Sequence, residues 1–271
     1  MLLGGCVAPR KVTKGTITTI DTSAARISAI RSWLDARSLE ARSLSVAGDI
    51  TLDQDGSSNS ASFTLKSKRL ADAMGTRIDS LSVEVAGPFG IKVARFLASP
   101  ERYQFFDILH GETMTGQTDV HSLEELTHLN GISLSMMSDL AYGLAPQGDV
   151  FTARDSLTLF SNGSHHTLLI RRENQNAVEA LDLEGNIPYD GTAIQRADMM
   201  LVRYRRWNGA IDPIHTNERS VAMIRYLEPT VVNGVSIPQH IEAMAGTNQL
   251  TLHYNTIQVN PSPLTVRIKM P

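Results

Sequence analysis

The stretch LSVEVAGPFGIKVARFLASPERYQFFDIL, residues 81–109, decides how the rest of the chain is interpreted. Its first segment alternates apolar with polar or small side chains, which is typical of a strand with one buried face. The tetrapeptide GPFG, residues 87–90, interrupts this alternation. Because proline presets φ and glycine accepts positive φ, it predicts a tight turn. Alternation resumes on both sides of a second turn at residues 98–101, so we predict three strands joined by short turns.

A large aromatic residue, Phe89, stands at or near the tip of the first of these turns, directly after Pro88. An apolar residue at a hairpin tip normally has nothing to pack against. One interpretation is that the ring folds back under a neighbouring loop. The other is that it is an exposed apolar finger that enters a membrane or a partner. The residues alone leave both open.

Two short helices are predicted next. The first begins at a capping box, residues 122–125, and ends at the Asn-Gly pair 130–131; the second spans about residues 133–144 and ends before Pro146. Their apolar stripes include Leu126, Leu129, Leu134, Met137 and Leu140. Plain core packing is one interpretation. A compliant wall beside a lipid chain is the other, since methionine adapts to variable shapes.

The first residues, MLLGGC, have the form of a bacterial lipobox, with Leu3 three positions before Cys6 and two glycines between them. Cys6 is the only cysteine, so it cannot form an internal disulfide, and acylation at this residue is one explanation for it. The alternative is a cytosolic protein whose first residues merely resemble the motif. A signal peptide would carry a longer apolar segment, so we expect the numbered start to be truncated or wrongly chosen.

Residues 7–22 lack apolar periodicity and predict a flexible tether. We therefore divide the chain into a lipobox remnant with its tether, residues 1–22, and one globular domain, residues 23–271. An amphipathic helix is predicted at the start of this domain, through Leu39, with Arg26, Arg31 and Arg37 on its outer face.

Almost everything outside these helices predicts β structure. Alternating segments separated by turns such as Asn162-Gly163 and Asn233-Gly234 give about ten to twelve strands, all antiparallel because their links are short. A sheet of that length curls. The predicted fold is mainly β (α+β): one curved antiparallel sheet, an N-terminal helix and two short helices.

Composition and motifs limit the range of functions that the sequence supports. The net charge of −3 argues against nucleic acid as a partner, and no apolar run is long enough to span a bilayer. No motif for a catalytic nucleophile, a phosphate-binding loop or a zinc site is present, so we predict neither a cofactor nor a metal. The adjacent pair His165 and His166 points to opposite faces of a strand and is interpreted as a solvated hairpin position.

A basic and aromatic cluster, RYRRW, occupies residues 203–207. It is either a solvated strand end or a contact for anionic lipid headgroups.

In combination, the lipobox cysteine, the helix, the strands flanking GPFG, the SxEEL helix start and the second apolar helix resemble the LolA/LolB superfamily of periplasmic lipoprotein carriers. More closely, they resemble bacterial LolB-like lipoproteins of unknown function. Residues 83–146 carry the match, with GPFGIKVAR at residues 87–95 as its most specific part, and residues 250–254 and 268–270 agree with the last strands. The chain departs from LolB in its greater length and in the long connection at residues 182–197.

The resemblance implies an incomplete barrel whose open side is plugged by the helices, with an apolar cavity between them that accepts acyl chains. In LolB a leucine just after a proline protrudes and is implicated in handing lipoproteins to the membrane. Pro88 and Phe89 match that loop. The five apolar helix residues given above would line the cavity or its lid.

The implied protein is a non-enzymatic lipoprotein on the periplasmic face of the outer membrane, anchored through Cys6. It binds acyl chains of lipoproteins or lipids and assists their delivery, with a periplasmic carrier protein as a further expected partner. Val7, in place of the Asp that marks inner-membrane retention, favours the outer membrane. The alternative is an envelope-assembly accessory lipoprotein that uses the same fold to bind proteins. An enzyme acting on lipid or glycan is a third, disfavoured class.

Overall fold

The structure, a computed structural model, describes residues 19–21, 23–54, 56–71, 77–118, 134–145, 155–172, 177–188, 190, 192–195, 199–208 and 220–261. It consists of one large antiparallel sheet and two helices within these ranges. The strands are β1 (Thr19–Asp21), β2 (Ser43–Gln54), β3 (Ser57–Ala71), β4 (Arg77–Ala86), β5 (Lys92–Ala98), β6 (Arg102–Asp107), β7 (Glu112–Gln117), β8 (Ser156–Asn162), β9 (His165–Arg172), β10 (Ala177–Gly185), β11 (Met199–Asn208), β12 (Ala222–Val232), β13 (Val235–Ala245) and β14 (Asn248–Val259). The helices are α1 (Ala24–Glu40) and α2 (Leu134–Ala141).

The sheet is open. Its strand order is β1-β8-β9-β10-β11-β12-β13-β14-β2-β3-β4-β5-β6-β7, so β1 and β7 are its two edges in the described part of the chain. A flat sheet of this many strands would be about 60 Å wide. One buried cluster nevertheless collects side chains from β2–β6 and from β8–β14, so the sheet curves around a shared core. The predicted incomplete barrel of one curved antiparallel sheet is confirmed.

Helix α1 begins at the predicted place, where the Ser23 hydroxyl accepts a hydrogen bond of 3.4 Å from the Arg26 N–H. Its apolar side, with Ile30 and Trp33, packs into the core. The prediction of outward arginines is wrong for Arg26 and Arg37, which are both buried. Arg37 donates 2.9 Å to the carbonyl of Ser236, and burial lowers its pKa. An arginine stem packs well along apolar surface when its head group reaches an acceptor.

Helix α2 confirms the second of the two short helices predicted from the sequence. The first, with Leu126 and Leu129, lies outside the described residues, as do Cys6 and the strand predicted near the C-terminus. Within the proposed tether, the three residues of β1 pair with β8. These three residues thus belong to the sheet, and the domain boundary at residue 22 stays a prediction.

Three described strands were missed from the sequence: β1, which lies in the predicted tether, β7 and β13. β7 has the sequence ETMTGQ, which lacks apolar alternation because the strand is an exposed edge. β13 contains Pro238, a residue that argues against a central strand. Pro238 lies opposite Pro229 of β12, and the missing donor of each proline therefore falls at the same point of the ladder.

Candidate functional site

The turn between β4 and β5 projects Phe89 into solvent. Pro88–Gly90 forms a single 3₁₀ turn, closed by hydrogen bonds of 2.9 Å from the Gly87 N–H to the Ile91 carbonyl and of 3.2 Å from the Gly90 N–H to the Gly87 carbonyl. The Phe89 side chain is 100% exposed. Within the described residues no loop covers the ring, so Phe89 is an exposed apolar residue at the tip of the turn.

The backbone at Phe89 is in the left-handed region, with φ 61° and ψ 18°. For a residue with a Cβ this conformation costs about 1–2 kcal/mol, and asparagine or glycine would occupy it more cheaply. The exposed ring gains no packing in return within the described structure. Strain of this kind, without a local gain, is an observation from which a functional hypothesis can be drawn.

Helix α2 covers the core face of the sheet. Leu134 is buried in the main core, and Met137 and Leu140 are partly buried against the same cluster. Three of the five predicted cavity or lid residues therefore come together on one helix and face the sheet. The other two lie outside the described residues.

A buried polar cluster fastens α2 to β3, and sequence reasoning missed it. Arg69 of β3 donates 2.8 Å from Nη2 to Oδ1 of Asp139 and 3.2 Å from Nε to the Ser138 hydroxyl. Its guanidinium lies 3.8 Å from the ring centroid of Tyr142, a cation–π distance. The Tyr142 hydroxyl donates 3.3 Å to the Ser67 carbonyl. We call Ser67, Arg69, Ser138, Asp139 and Tyr142 the α2 latch.

The C-terminal end of α2 is held just as closely. Gly143 has φ +67°, and a Cβ there would come within 2.3 Å of Pro238 Cδ. Only glycine therefore fits at this position without a change in the surrounding structure. The Tyr254 hydroxyl donates 3.1 Å to the Ala141 carbonyl, and the Tyr226 hydroxyl donates 2.5 Å to the Leu144 carbonyl. Burial raises the pKa of both phenols.

Two arginines of the basic and aromatic cluster of β11 share one carboxylate. Arg203 and Arg205 both pair with Asp182 of β10, at 2.5 Å and 3.0 Å, and burial lowers the pKa of Arg205. Trp207 is buried in a second apolar cluster on the other side of the sheet, together with Leu169. This arrangement supports a structural role for the cluster more than a headgroup site.

The histidine pair divides as the strand alternation predicts, but His166 is not solvated. His165 is exposed, whereas His166 is buried, with ring nitrogens 2.9 Å from the Ser161 hydroxyl and 3.0 Å from the Gly185 carbonyl. In the ranges that the structure describes, no group of three His, Cys, Asp or Glu side chains is arranged to hold a metal ion. The two described helices include none with the length and apolar character of a membrane span.

Comparison with known proteins gives matches in structure alone. No protein-family model matches the chain, and no curated protein is similar to it in sequence at a significant level. A DUF1329 family protein from Desulfovibrio piger shares the fold with a TM-score of 0.60 and 10% identity, over 91% of this chain and 96% of that chain. At this identity the likeness concerns the fold.

Two further solved structures are similar to most of the chain. A putative outer membrane lipoprotein-sorting protein domain from Vibrio parahaemolyticus gives a TM-score of 0.49 at 8% identity. A LolA superfamily protein from Nitrosomonas europaea gives 0.47 at 12%. Each match covers 87% of this chain and 94% of the other.

Proposed function

We propose that the protein is a lipid-anchored carrier on the periplasmic face of the outer membrane, which binds acyl chains of lipoproteins or lipids and assists their delivery. The observation that carries this proposal is the fully exposed Phe89 at the tip of a tight, internally bonded turn. Burying a phenylalanine side chain is worth about 1.5–3 kcal/mol. A bilayer would supply that burial, and the strained backbone of the tip would then be offset by a gain outside the protein.

Acyl chains would be held between α2 and the core face of the sheet. Leu134, Met137 and Leu140 present apolar atoms there, and Leu126 and Leu129 belong to the same proposed wall. Each buried methylene adds about 0.8 kcal/mol, so affinity would depend on chain length more than on the headgroup. No step in this mechanism requires a nucleophile, a metal or a cofactor.

The anchor completes the proposal. Acylation of Cys6 would fix the N-terminal segment to the outer membrane and leave the domain, residues 23–271 with the paired strand β1, free to reach the membrane surface. Acyl chains would arrive from a periplasmic carrier protein. Nucleic acid is not among the proposed partners, because the net charge of −3 supplies no basic field.

Native mass spectrometry tests the binding step. The chain carrying Cys6→Ser, which removes the acylation site, is purified without detergent and weighed under native conditions, and its lipids are extracted. A bound amphiphile of defined mass is expected. A protein that carries no lipid and also fails to take up a fluorescent fatty acid would contradict the carrier.

Phe89→Glu tests the delivery step. A fluorescent diacylated peptide is loaded on the protein and its transfer to vesicles is followed. Burying the carboxylate in hydrocarbon is strongly unfavourable, so transfer should be lost while loading is retained. Val231→Glu is the matched control, because Val231 is 71% exposed near the turn at the opposite end of the sheet. Equal transfer by the two variants would remove the finger from the mechanism.

One observation favours the second candidate, an envelope-assembly accessory protein that uses the fold to bind proteins. The α2 latch is buried and hydrogen-bonded, so α2 resists the displacement that a ligand beneath it would require. A disulfide that locks α2 to β3, made from Ser67→Cys and Ser138→Cys, separates the candidates. It should block fatty-acid uptake by a carrier and leave a protein-binding module unaffected.

A further inference from the structure

The turn between β6 and β7 is a second exposed apolar tip. Ile108 and Leu109 are both exposed, Leu109 to 65%, and Gly111 closes the turn with φ +71°. Strands of an antiparallel meander alternate in direction, so this turn and the Phe89 turn lie at the same end of the sheet. Two apolar tips therefore project from neighbouring hairpins.

A backbone hydrogen bond joins the two hairpins near these tips. The Ile108 N–H donates 3.0 Å to the carbonyl of Val93, which follows the Phe89 turn by three residues. Ile91, 60% exposed, lies between Phe89 and this bond. Phe89, Ile91, Ile108 and Leu109 are four of the eleven large apolar side chains that are exposed among the described residues. These four residues lie together at one end of the sheet. Single exposed apolar residues are common on protein surfaces, whereas a group of them is typical of an interaction site.

Part of the backbone at both tips is hydrogen-bonded within the turns. The Gly87, Gly90 and Ile108 amides donate to carbonyls, and the His110 amide donates 3.1 Å to Oδ1 of Asp107. Unsatisfied backbone donors are the main obstacle to placing a loop in hydrocarbon. Here the turns satisfy the four donors just named, so inserting the tips would not leave those amides without a partner.

Charges behind the first tip suit a lipid surface. Lys92 and Arg95 of β5 approach Glu84 of β4 at 2.8 Å and 3.4 Å, and Lys66 of β3 also contributes to lowering the pKa of that carboxylate. Three cations thus surround one carboxylate. The excess positive charge would face phosphate headgroups when the ring is inserted. Each cation near an anionic surface adds about 1 kcal/mol of electrostatic attraction.

We propose that Ile108 and Leu109 enter the same bilayer leaflet together with Phe89 and Ile91, so that two adjacent hairpins form one membrane-insertion edge. The inference rests on the proposed function, because it takes a lipid bilayer as the surface that Phe89 meets. It adds a second tip that the sequence resemblance does not indicate. Insertion at two joined points also predicts that their contributions to binding multiply.

Single-cysteine labelling tests the edge. The chain has one cysteine, so Cys6→Ser provides a background in which Phe89→Cys, Leu109→Cys or Val231→Cys carries an environment-sensitive fluorophore at one site. Vesicles of phosphatidylethanolamine and phosphatidylglycerol are then added. Blue-shifted, brighter emission is expected at positions 89 and 109, with no change at 231.

Unlabelled variants give the size of the effect. Phe89→Ser and Leu109→Ser should each lower the vesicle partition coefficient about tenfold, and the double variant about a hundredfold. Val231→Ser should leave it unchanged. The thermal transition of each variant shows that the fold is retained.

The outcomes separate the inference from the proposed function. A response at 89 without one at 109 overturns the second tip and leaves the Phe89 finger in place. A lack of response at both sites overturns the insertion edge and also removes membrane insertion from the proposed function. Fatty-acid uptake, measured on the same variants, reports the binding step independently of either result.

Discussion

Replacing Arg69 by methionine should lower the free energy of unfolding by about 3–5 kcal/mol, the usual cost of removing one partner from a buried ion pair. Arg69 is 5% exposed, and its guanidinium lies 2.8 Å from Asp139 and 3.9 Å from Asp79, both of which are buried. Methionine keeps much of the apolar stem and removes the charge. Two carboxylates would then stay in the core without the cation that faces them.

A double-mutant cycle separates two contributions to this loss of stability: the lost attraction between Arg69 and Asp139, and the cost of leaving a buried carboxylate without its cation. Adding Asp139→Asn to Arg69→Met removes one of the two carboxylates from the buried site. The double variant should therefore be more stable than Arg69→Met alone. The coupling free energy should be on the order of 2 kcal/mol, within the range measured for contacting residues.

Urea unfolding is the assay, with the midpoint reporting stability and an unchanged m value showing that the same surface is exposed. Arg225→Met is the matched control. Its ion pair with Glu242, at 3.4 Å, is partly exposed to solvent, and such pairs contribute about 0–1 kcal/mol. A loss below about 1 kcal/mol for Arg69→Met, or a double variant as unstable as the sum of both single variants, would refute this account of the latch.

The same variant connects stability with function. Asp139 and Ser138 belong to α2, so losing the latch should free the helix before the sheet unfolds. Hydrogen exchange should accelerate in Leu134–Ala141 ahead of the strands. If α2 is the lid of an acyl-chain site, fatty-acid uptake should become faster as well. Faster exchange without faster uptake would favour the protein-binding module.

Three further results follow from the site. Gly143→Ala should destabilise the protein by at least about 2 kcal/mol in urea unfolding, because the residue has φ +67° and its Cβ would collide with Pro238; a change near zero would show that the helix end shifts freely. Phe89→Gly should raise stability by about 1 kcal/mol and lower the vesicle partition coefficient about tenfold, since glycine removes both the backbone strain and the ring; a loss of stability would mean that the ring packs against the protein. The phenols of Tyr226 and Tyr254 have pKa values raised by burial, so the stability they contribute is complete below about pH 10 and is lost as the pH rises above it. Phenolate absorbance from these residues should therefore appear only together with the loss of near-ultraviolet circular dichroism, and an earlier appearance would contradict their burial.

Local patterns in the sequence predicted most of the fold. The alternation of β4 and the GPFG turn both depend on consecutive residues. The strands and the hairpin could therefore be predicted without tertiary information. The exposure of Phe89 could not, because an aromatic ring at a tip packs or protrudes according to what lies beside it. The edge strand β7 was missed because an exposed strand carries no apolar alternation.

The α2 latch escaped prediction for a different reason. Arg69 and Asp139 are 70 positions apart, and a charged residue on a strand or a short helix is ordinarily assigned to solvent. Only the pairing of β3 with β4 and the position of α2 against them bring these side chains together. The one local signal was the alternation of β3, in which Leu65, Ser67 and Arg69 share a face. Strand alternation alone therefore predicts that Arg69 faces the core.

The strand order also has a consequence for how the chain folds. β2–β7 and β8–β14 are each built of neighbours in sequence. Strands that are distant in the chain pair at two junctions: β14 pairs with β2, where the two series meet, and β1 pairs with β8. At the first junction Leu44 lies opposite Val259, so the pairing closes a loop of more than two hundred residues, with an entropic cost about 3 kcal/mol above that of a ten-residue loop. During synthesis β2 has no partner on one side until almost the whole chain has emerged. We therefore expect the two series to form early and their junction to form last, which makes the open edge of β2 the segment most exposed to wrong pairing while the protein folds.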